Sequence, residues 1–158
     1  MENMSKRIIG VISDTHGLLR PEALEALRGS ELIIHAGDVG SQVILRDLEE
    51  LAPVVAIRGN IDKAKWASIL PEREVVELGD HTLYMLHDLK TLDLDPVLSG
   101  FSAVISGHSH RPGIEWRKGV LYLNPGSAGP RRFNLPVTIA RLTLGEEKLE
   151  ASLVELEV

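Results

Sequence analysis

The sequence predicts an α/β fold that opens with a parallel sheet, and three observations carry that prediction. Short β-branched apolar runs recur at 8–12, 32–34 and 54–57. Segments of helical periodicity separate them, so strand, loop, helix and strand repeat as βαβ units. Each run ends in Asp, His or Asn beside a glycine, and in open α/β sheets ligands bind in the crevice at the carboxyl ends of the strands.

Taken in order, the first strand spans 7–12 with Gly10 inside it and delivers Asp14, Thr15, His16 and Gly17. Pro21 suits the first position of a helix that carries Ala23, Leu24 and Leu27 on one face, with Gly29 just past its end. The second strand leads into His35, Ala36, Gly37 and Asp38. Ser41 is an N-cap for a helix to about Leu51, buried through Ile44, Leu48 and Leu51. Pro53 starts a third strand, which ends at Arg58, Gly59, Asn60, Ile61 and Asp62. In the stretch 63–72, Trp66 and Ile69 suggest a buried turn of helix that Pro71 cuts short.

Strands at 74–78 and 82–86 flank Gly79, Asp80 and His81 as an antiparallel hairpin that runs out at His87 and Asp88. A short helix is expected over 92–98, near Asp95 and Pro96. A buried strand at 103–105 follows and ends in Ser106, Gly107, His108, Ser109 and His110. Strands are also expected at 120–123, 137–144 and 149–156, the last two joined through Gly145, Glu146 and Glu147. An early βαβ half and a later strand-rich half thus share one core in a single domain, 1–158.

Composition narrows the chemistry. The 158 residues are 44% hydrophobic and 25% charged, the profile of an ordinary globular protein, and no apolar run approaches the roughly 18 residues that span a bilayer. No signal peptide is apparent at the start, so a cytoplasmic protein is expected. The chain has no cysteine, which excludes disulfides and thiolate-held zinc and leaves His, Asp, Glu, Asn or backbone oxygen to hold any metal. A net charge of −6 argues against nucleic acid as a structural partner.

Asp14, His16, Asp38, Asn60, His87, His108 and His110 all fall at predicted strand ends, and their donor types suit Mn²⁺, Fe²⁺ or Zn²⁺. Seven donors are too many for one tetrahedral site. Two metals a few Å apart sharing a carboxylate would use them all, an arrangement recurrent in phosphate-ester hydrolysis. Taken singly, Asp14 or Asp38 reads equally well as a turn-former and Asn60 after Gly59 reads better as a turn, whereas the His108 and His110 pair is the stronger ligand signal, with a solvated loop as its alternative. His35 is expected to be buried and hydrogen-bonded to backbone, His81 to be a hairpin residue, and the run from Arg46 to Glu50 to be a solvated helix face.

The blocks Asp14-Thr15-His16, Gly37-Asp38, Gly59-Asn60, a strand-end His87 and Gly107-His108-Ser109-His110, in that order, resemble the five signature blocks of the calcineurin-like metallophosphoesterases. The resemblance covers about residues 8–131. The Asn124-Pro125-Gly126-Ser127 block, followed by Pro130 and Arg131, is similar to that of the small prokaryotic phosphodiesterase branch, which also includes a eukaryotic retromer scaffold subunit. The resemblance implies a four-layer α-β-β-α sandwich of two mixed sheets flanked by helices. It makes Asp14, His16, Asp38 and His110 ligands of one metal, and Asp38, Asn60, His87 and His108 ligands of the other, with Asp38 as the bridge. Asp38, Asn60 and His108 are the residues it assigns to catalysis. Mn²⁺ is the metal first expected, with Fe, Zn and Ni as alternatives.

Two positions depart from the family pattern. Ile61 stands where many members carry a histidine thought to protonate the leaving group, and Asp88 stands where a glycine usually follows the fourth-block histidine. The expected reaction is hydrolysis of a small phosphodiester by in-line attack of a metal-bridging hydroxide. With Ile61 unable to act as an acid, good leaving groups such as aryl alcohols should be preferred. Arg131 and the backbone amides around Gly126 are candidates for holding a substrate phosphate oxygen. The alternatives are a catalytically weak scaffold or protein-interaction module on the same fold and a single-metal hydrolase or deaminase-like zinc enzyme, although nucleobase deaminases use cysteines that this chain lacks. Leu142, Leu144, Leu153 and Leu156 could cover a second subunit or fill the core.

Overall fold

The computed structural model describes residues 7–145 and 148–158. The first strand, β1 (Arg7–Ile12), leads to α1 (Pro21–Leu27), β2 (Leu32–His35), α2 (Gln42–Glu49) and β3 (Val54–Ala56). A 3-10 turn at Lys65–Ile69 precedes the hairpin of β4 (Arg73–Leu78) and β5 (His81–Leu86). After a second 3-10 turn at Leu89–Thr91 come β6 (Ala103–Ile105), β7 (Gly113–Arg117), β8 (Val120–Asn124), β9 (Thr138–Leu144) and β10 (Leu149–Glu155).

These strands form two mixed sheets of five, in the orders β10-β9-β1-β2-β3 and β4-β5-β6-β8-β7. In the first sheet β1, β2 and β3 run parallel, with Ile12 opposite His35 and His35 opposite Ala56. In the second sheet β5, β6 and β8 run parallel. Each parallel trio has its carboxyl ends at one margin of the sandwich, and the expected ligands are found there. The late strands do not stay together: β9 and β10 return to the first sheet, where β9 pairs antiparallel with β1.

Side-chain parity explains the layering. Along β1, Ile9 and Val11 enter the core between the sheets with Ile34, Leu83, Met85 and Leu121. Ile12 faces the other way, into a layer with Ala23 and Leu27 of α1 and Ile44 and Leu48 of α2. Pro at the first helical position starts α1, and the Ser41 hydroxyl accepts from the Val43 amide at the start of α2. Arg46, Asp47, Glu49 and Glu50 form the exposed face of that second helix.

The outer face of the second sheet is covered differently from expectation. No helix forms over 92–98; Leu92 and Leu94, two apart, both pack on Tyr84, Leu86 and Val104, which an extended backbone permits and a helix does not. The Asp95 carboxylate instead accepts from the Val97 amide and closes a single turn. Phe101 stacks on Tyr84 with ring centroids 4.9 Å apart. The edge strand β7 was not expected from the sequence: Ile114 and Trp116 alternate with Glu115 and Arg117, but the run is short and all but its first residue are exposed. Ile69, expected to be buried, is 81% exposed, and Ala67 fills the core position of that turn.

Leu142, Leu144 and Leu156 are buried in the core, so of the four late leucines only Leu153 is exposed. Glu146 and Glu147 of the expected turn lie outside the described residues. No helix among the described residues is long and apolar enough to cross a membrane.

Candidate metal centre

Five loops meet at the carboxyl-end margin, three from the first sheet and two from the second. Asp14 and His16 follow β1, Asp38 follows β2, Asn60 follows β3, His87 follows β5, and His108 and His110 follow β6. Backbone bonds lock the loops together: the Asp14 amide donates to Gly37 O at 3.0 Å, His16 N to Asp38 O at 3.0 Å, and Gly107 N to His87 O at 2.9 Å. Asp14, His16, Asp38, His108 and His110 all have φ between 47° and 70°. For residues with a Cβ this left-handed conformation is disfavoured by about 1–2 kcal/mol each, and it clusters at functional sites.

The side chains form two groups, Asp14 with His16 and His110, and Asp38 with His87 and His108, the candidate ligand atoms within each lying within 4.8 Å of one another. Each carboxylate has one oxygen anchored by the protein. Asp14 Oδ2 accepts from Ser13 Oγ at 2.7 Å and from the His108 amide at 3.0 Å. Asp38 Oδ1 accepts from the Ile61 amide at 3.0 Å. The other oxygens face the imidazoles: Asp14 Oδ1 lies 3.7 Å from His16 Nε2, 3.8 Å from His87 Nε2 and 3.5 Å from His110 Nε2. Asp38 Oδ2 lies 3.5 Å from His16 Nε2 and 3.2 Å from His87 Nε2, so it adjoins both groups.

Two groups of side chains so arranged could each hold a metal ion. Asp14 Oδ1, His16 Nε2, His87 Nε2 and His110 Nδ1 are buried polar atoms with no hydrogen-bond partner among the described residues, which proteins normally avoid because each such atom costs about 1–3 kcal/mol. Donors about 2.1 Å from a common cation stand roughly 3.0–3.5 Å apart, close to the separations found. The His87 Nδ1 hydrogen is given to Ala36 O at 2.7 Å, which leaves Nε2 as a lone pair facing the cluster.

Electrostatics points the same way. Burial alone would raise the Asp38 carboxyl, but the His87 ring, the Ile61 amide and His16 outweigh it and hold it at about 2. Burial favours a neutral His87, yet the neighbouring Asp38 carboxylate, the Ala36 carbonyl and the charge of Asp14 raise its affinity for a proton above the ordinary value. The carboxylates therefore call for positive charge at this spot. His110 is shifted down by burial, against the pull of Asp14, which keeps it in the neutral form that ligates metals.

Asn60 lies outside these two groups of ionisable side chains; it is exposed and lines a cavity of about 380 Å³ with His87 and Asp88. Asp88 caps the 3-10 turn through the Lys90 amide, and its Oδ2 lies 3.9 Å from His108 Nε2. Gly126 and Arg131 belong to a segment that packs on the first loop through Ser127 Oγ, which donates to Asp14 O at 2.9 Å; Gly126 is buried with its amide given to Asn124 Oδ1 at 2.9 Å, and Arg131 Nη1 donates to Leu135 O at 3.2 Å.

His35 is buried as expected. Its Nδ1 accepts from the Gly37 amide at 3.1 Å, so Nε2 carries the hydrogen, 3.0 Å from Thr15 Oγ1, which in turn donates to Val39 O. Burial holds its pKa at about 4, and it stays neutral. His81 is a hairpin residue whose ring reaches Gly145 O at 3.1 Å.

Three supporting residues carried no site role in the sequence reading. Asp62 accepts from the amides of Val39, Gly40 and Gly59 at 3.0, 2.9 and 2.8 Å, tying the loop after β2 to that after β3. Asn124 Nδ2 donates to Gly107 O and Ser109 Oγ, bracing the loop of His108 and His110. Ser13 orients Asp14. Two glycines are required by close approach: a Cβ at Gly59 would run into the Asp38 carboxylate, and one at Gly107 into Ser13 Oγ and Asp14 Oδ2.

Comparison with known proteins agrees with this geometry. The model of the calcineurin-like phosphoesterase superfamily domain matches residues 8–147. A probable metallophosphoesterase from Methanocaldococcus jannaschii is 39% identical over 163 residues, covering 95% of this chain and 82% of that protein. Among solved structures, an archaeal phosphodiesterase is similar with a TM-score of 0.78 at 26% identity, over 93% of this chain and 99% of that one. Vacuolar protein sorting 29 from Cryptosporidium parvum shares the fold, with a TM-score of 0.77 at 19% identity over 97% and 99% of the two chains. Because the family match runs from β1 past β9 and takes in every loop that meets at the margin, the chain belongs to the calcineurin-like phosphoesterase superfamily.

Proposed function

We propose that the protein is a dinuclear-metal phosphodiesterase acting on small phosphate diesters. The observation that carries this reading is the set of four buried polar atoms, on Asp14, His16, His87 and His110, that have no hydrogen-bond partner among the described residues. The likeness to an archaeal phosphodiesterase at 26% identity supports the choice of a diester. Asp14, His16 and His110 would hold one cation and Asp38, Asn60, His87 and His108 the other, with Asp38 shared. Mn²⁺ is the metal of first choice, with Fe, Zn or Ni as alternatives. Bound there, a pair of divalent cations supplies Lewis acidity, which activates water and neutralises charge growing on phosphate oxygens.

The chain's own residues do the positioning. Ser13 and the His108 amide turn the Asp14 carboxylate, Ala36 O fixes the His87 tautomer, and Asp62 holds the loops of Asp38 and Asn60 together. The Ile61 side chain is 46% exposed beside this centre and has no proton to give. A phosphate contact from Gly126 or Arg131 would require those groups to exchange the bonds they now make. A cytoplasmic setting fits a chain without cysteine, and the exposed Leu153 leaves a homo-oligomer open to test.

The deciding experiment is elemental analysis of the purified protein followed by a metal-by-substrate screen of aryl and alkyl phosphodiesters. Aryl diesters should turn over at least tenfold faster than alkyl ones, since Ile61 offers no acid for a poor leaving group. Equal rates would remove the role given to Ile61, and no turnover with any metal would favour the scaffold reading. That second reading rests on the fold shared with vacuolar protein sorting 29.

A further inference from the structure

We propose that Phe133 and the groove beside it grip one ester arm of the substrate, and that this arm carries a planar ring with polar edge atoms. The inference rests on the phosphoesterase reading and names the substrate class of the same site. A groove of about 680 Å³ opens directly beside the candidate metal centre, with His108 and Asp88 in its wall. That volume suits a ligand the size of a nucleoside or a substituted aryl ester. Ile114, Tyr122, Phe133 and Leu135 give it apolar surface.

Phe133 is the anomalous member. It is 84% exposed and sits at the tip of a turn closed by the Leu135 amide on Arg132 O at 3.1 Å. Its φ is 55°, a value that turns usually assign to Gly, Asn or Asp. The turn is thus strained by its backbone, and its phenyl ring gains little burial on folding. Such outliers are retained where they serve a site, and a flat ligand stacked on the ring would bury the apolar surface that folding leaves in water.

Charge selects among occupants. Glu115 is engaged by two Arg117 nitrogens at 2.9 and 3.0 Å, and Asp88 faces His108. Lys90, Arg111 and Arg132 remain to attract an anion. The same charged groups interrupt the apolar wall, which disfavours an acyl chain and suits a ring whose edge can meet them. An aryl ester and a nucleoside ester share this chemistry.

The test uses three diesters on the metal-loaded full chain: bis(p-nitrophenyl) phosphate, a dinucleoside monophosphate and the ring-free glycerophosphocholine. Phe133→Ala should raise KM for the ring-bearing diesters about tenfold relative to the ring-free one, while kcat changes less than twofold. Phe133→Gly should do the same while making the protein more stable, because glycine accepts the positive φ. Saturation-transfer NMR of adenosine and of p-nitrophenol with metal-free protein reads the ring site without turnover and tells the two sources apart. Binding of either that is lost in Phe133→Gly supports the inference even in a chain that hydrolyses nothing, an outcome that would sink only the phosphoesterase reading. Unchanged KM ratios together with ring binding that ignores Phe133 would overturn it.

Discussion

Asp14 and His16, like His108 and His110, are each two residues apart, and in both pairs the two members have left-handed backbones. Spacing made these pairs visible in the sequence; the backbone conformation did not show there, because it is imposed by bonds between loops. The same holds for Ser13, Asp62 and Asn124, whose work is to bond backbone groups far along the chain. Such roles leave no periodic trace. His35 gives a test at this scale. Burial holds it neutral down to a pKa of about 4, against 6.5 when exposed, so between those values the unfolded chain binds more protons and stability falls as pH falls. Urea unfolding of metal-free protein should show a loss of about 2–3 kcal/mol from pH 7 to pH 4.5, and His35→Gln should flatten that portion of the profile. An unchanged profile in the variant would show that the buried ring is not its source.

Strands with clean parity or β-branched runs were found where the sequence placed them, including β1, β2, β5, β6 and β9. The failures have separate causes: β7 lies at a sheet edge with little to bury, and the segment 92–98 packs its leucines through an extended chain. The weight-bearing join between elements is the Asp62 carboxylate, which is 5% exposed and accepts three amides from two loops. Asp62→Ala strands those donors and should lower stability by about 3 kcal/mol, measured by urea denaturation. It should also weaken metal binding at Asp38, whose loop it steadies. A loss below about 0.5 kcal/mol would mean that water replaces the carboxylate without strain.

For the molecule as a whole, the βαβ opening was readable, but the return of β9 and β10 to the first sheet was not, because antiparallel strands can add to either sheet without changing their pattern. The two-sheet sandwich came from resemblance, and the structure agrees. An acidic chain of net charge −6 gathers its metal-ligand candidates at one margin, so cations there should bind the folded state and stabilise it. Removing metal with a chelator should lower Tm by about 10 °C, from roughly 4 kcal/mol of linkage when metal is present at a thousandfold over its Kd. The most direct measurement is metal stoichiometry by elemental analysis after equilibration with Mn²⁺ and desalting, for the natural chain and for Asp38→Asn. Two ions per chain should be retained by the first and none or one by the second, with diester hydrolysis lost in step. One ion or none in the natural chain, or two in Asp38→Asn, would contradict a pair of cations sharing the Asp38 carboxylate.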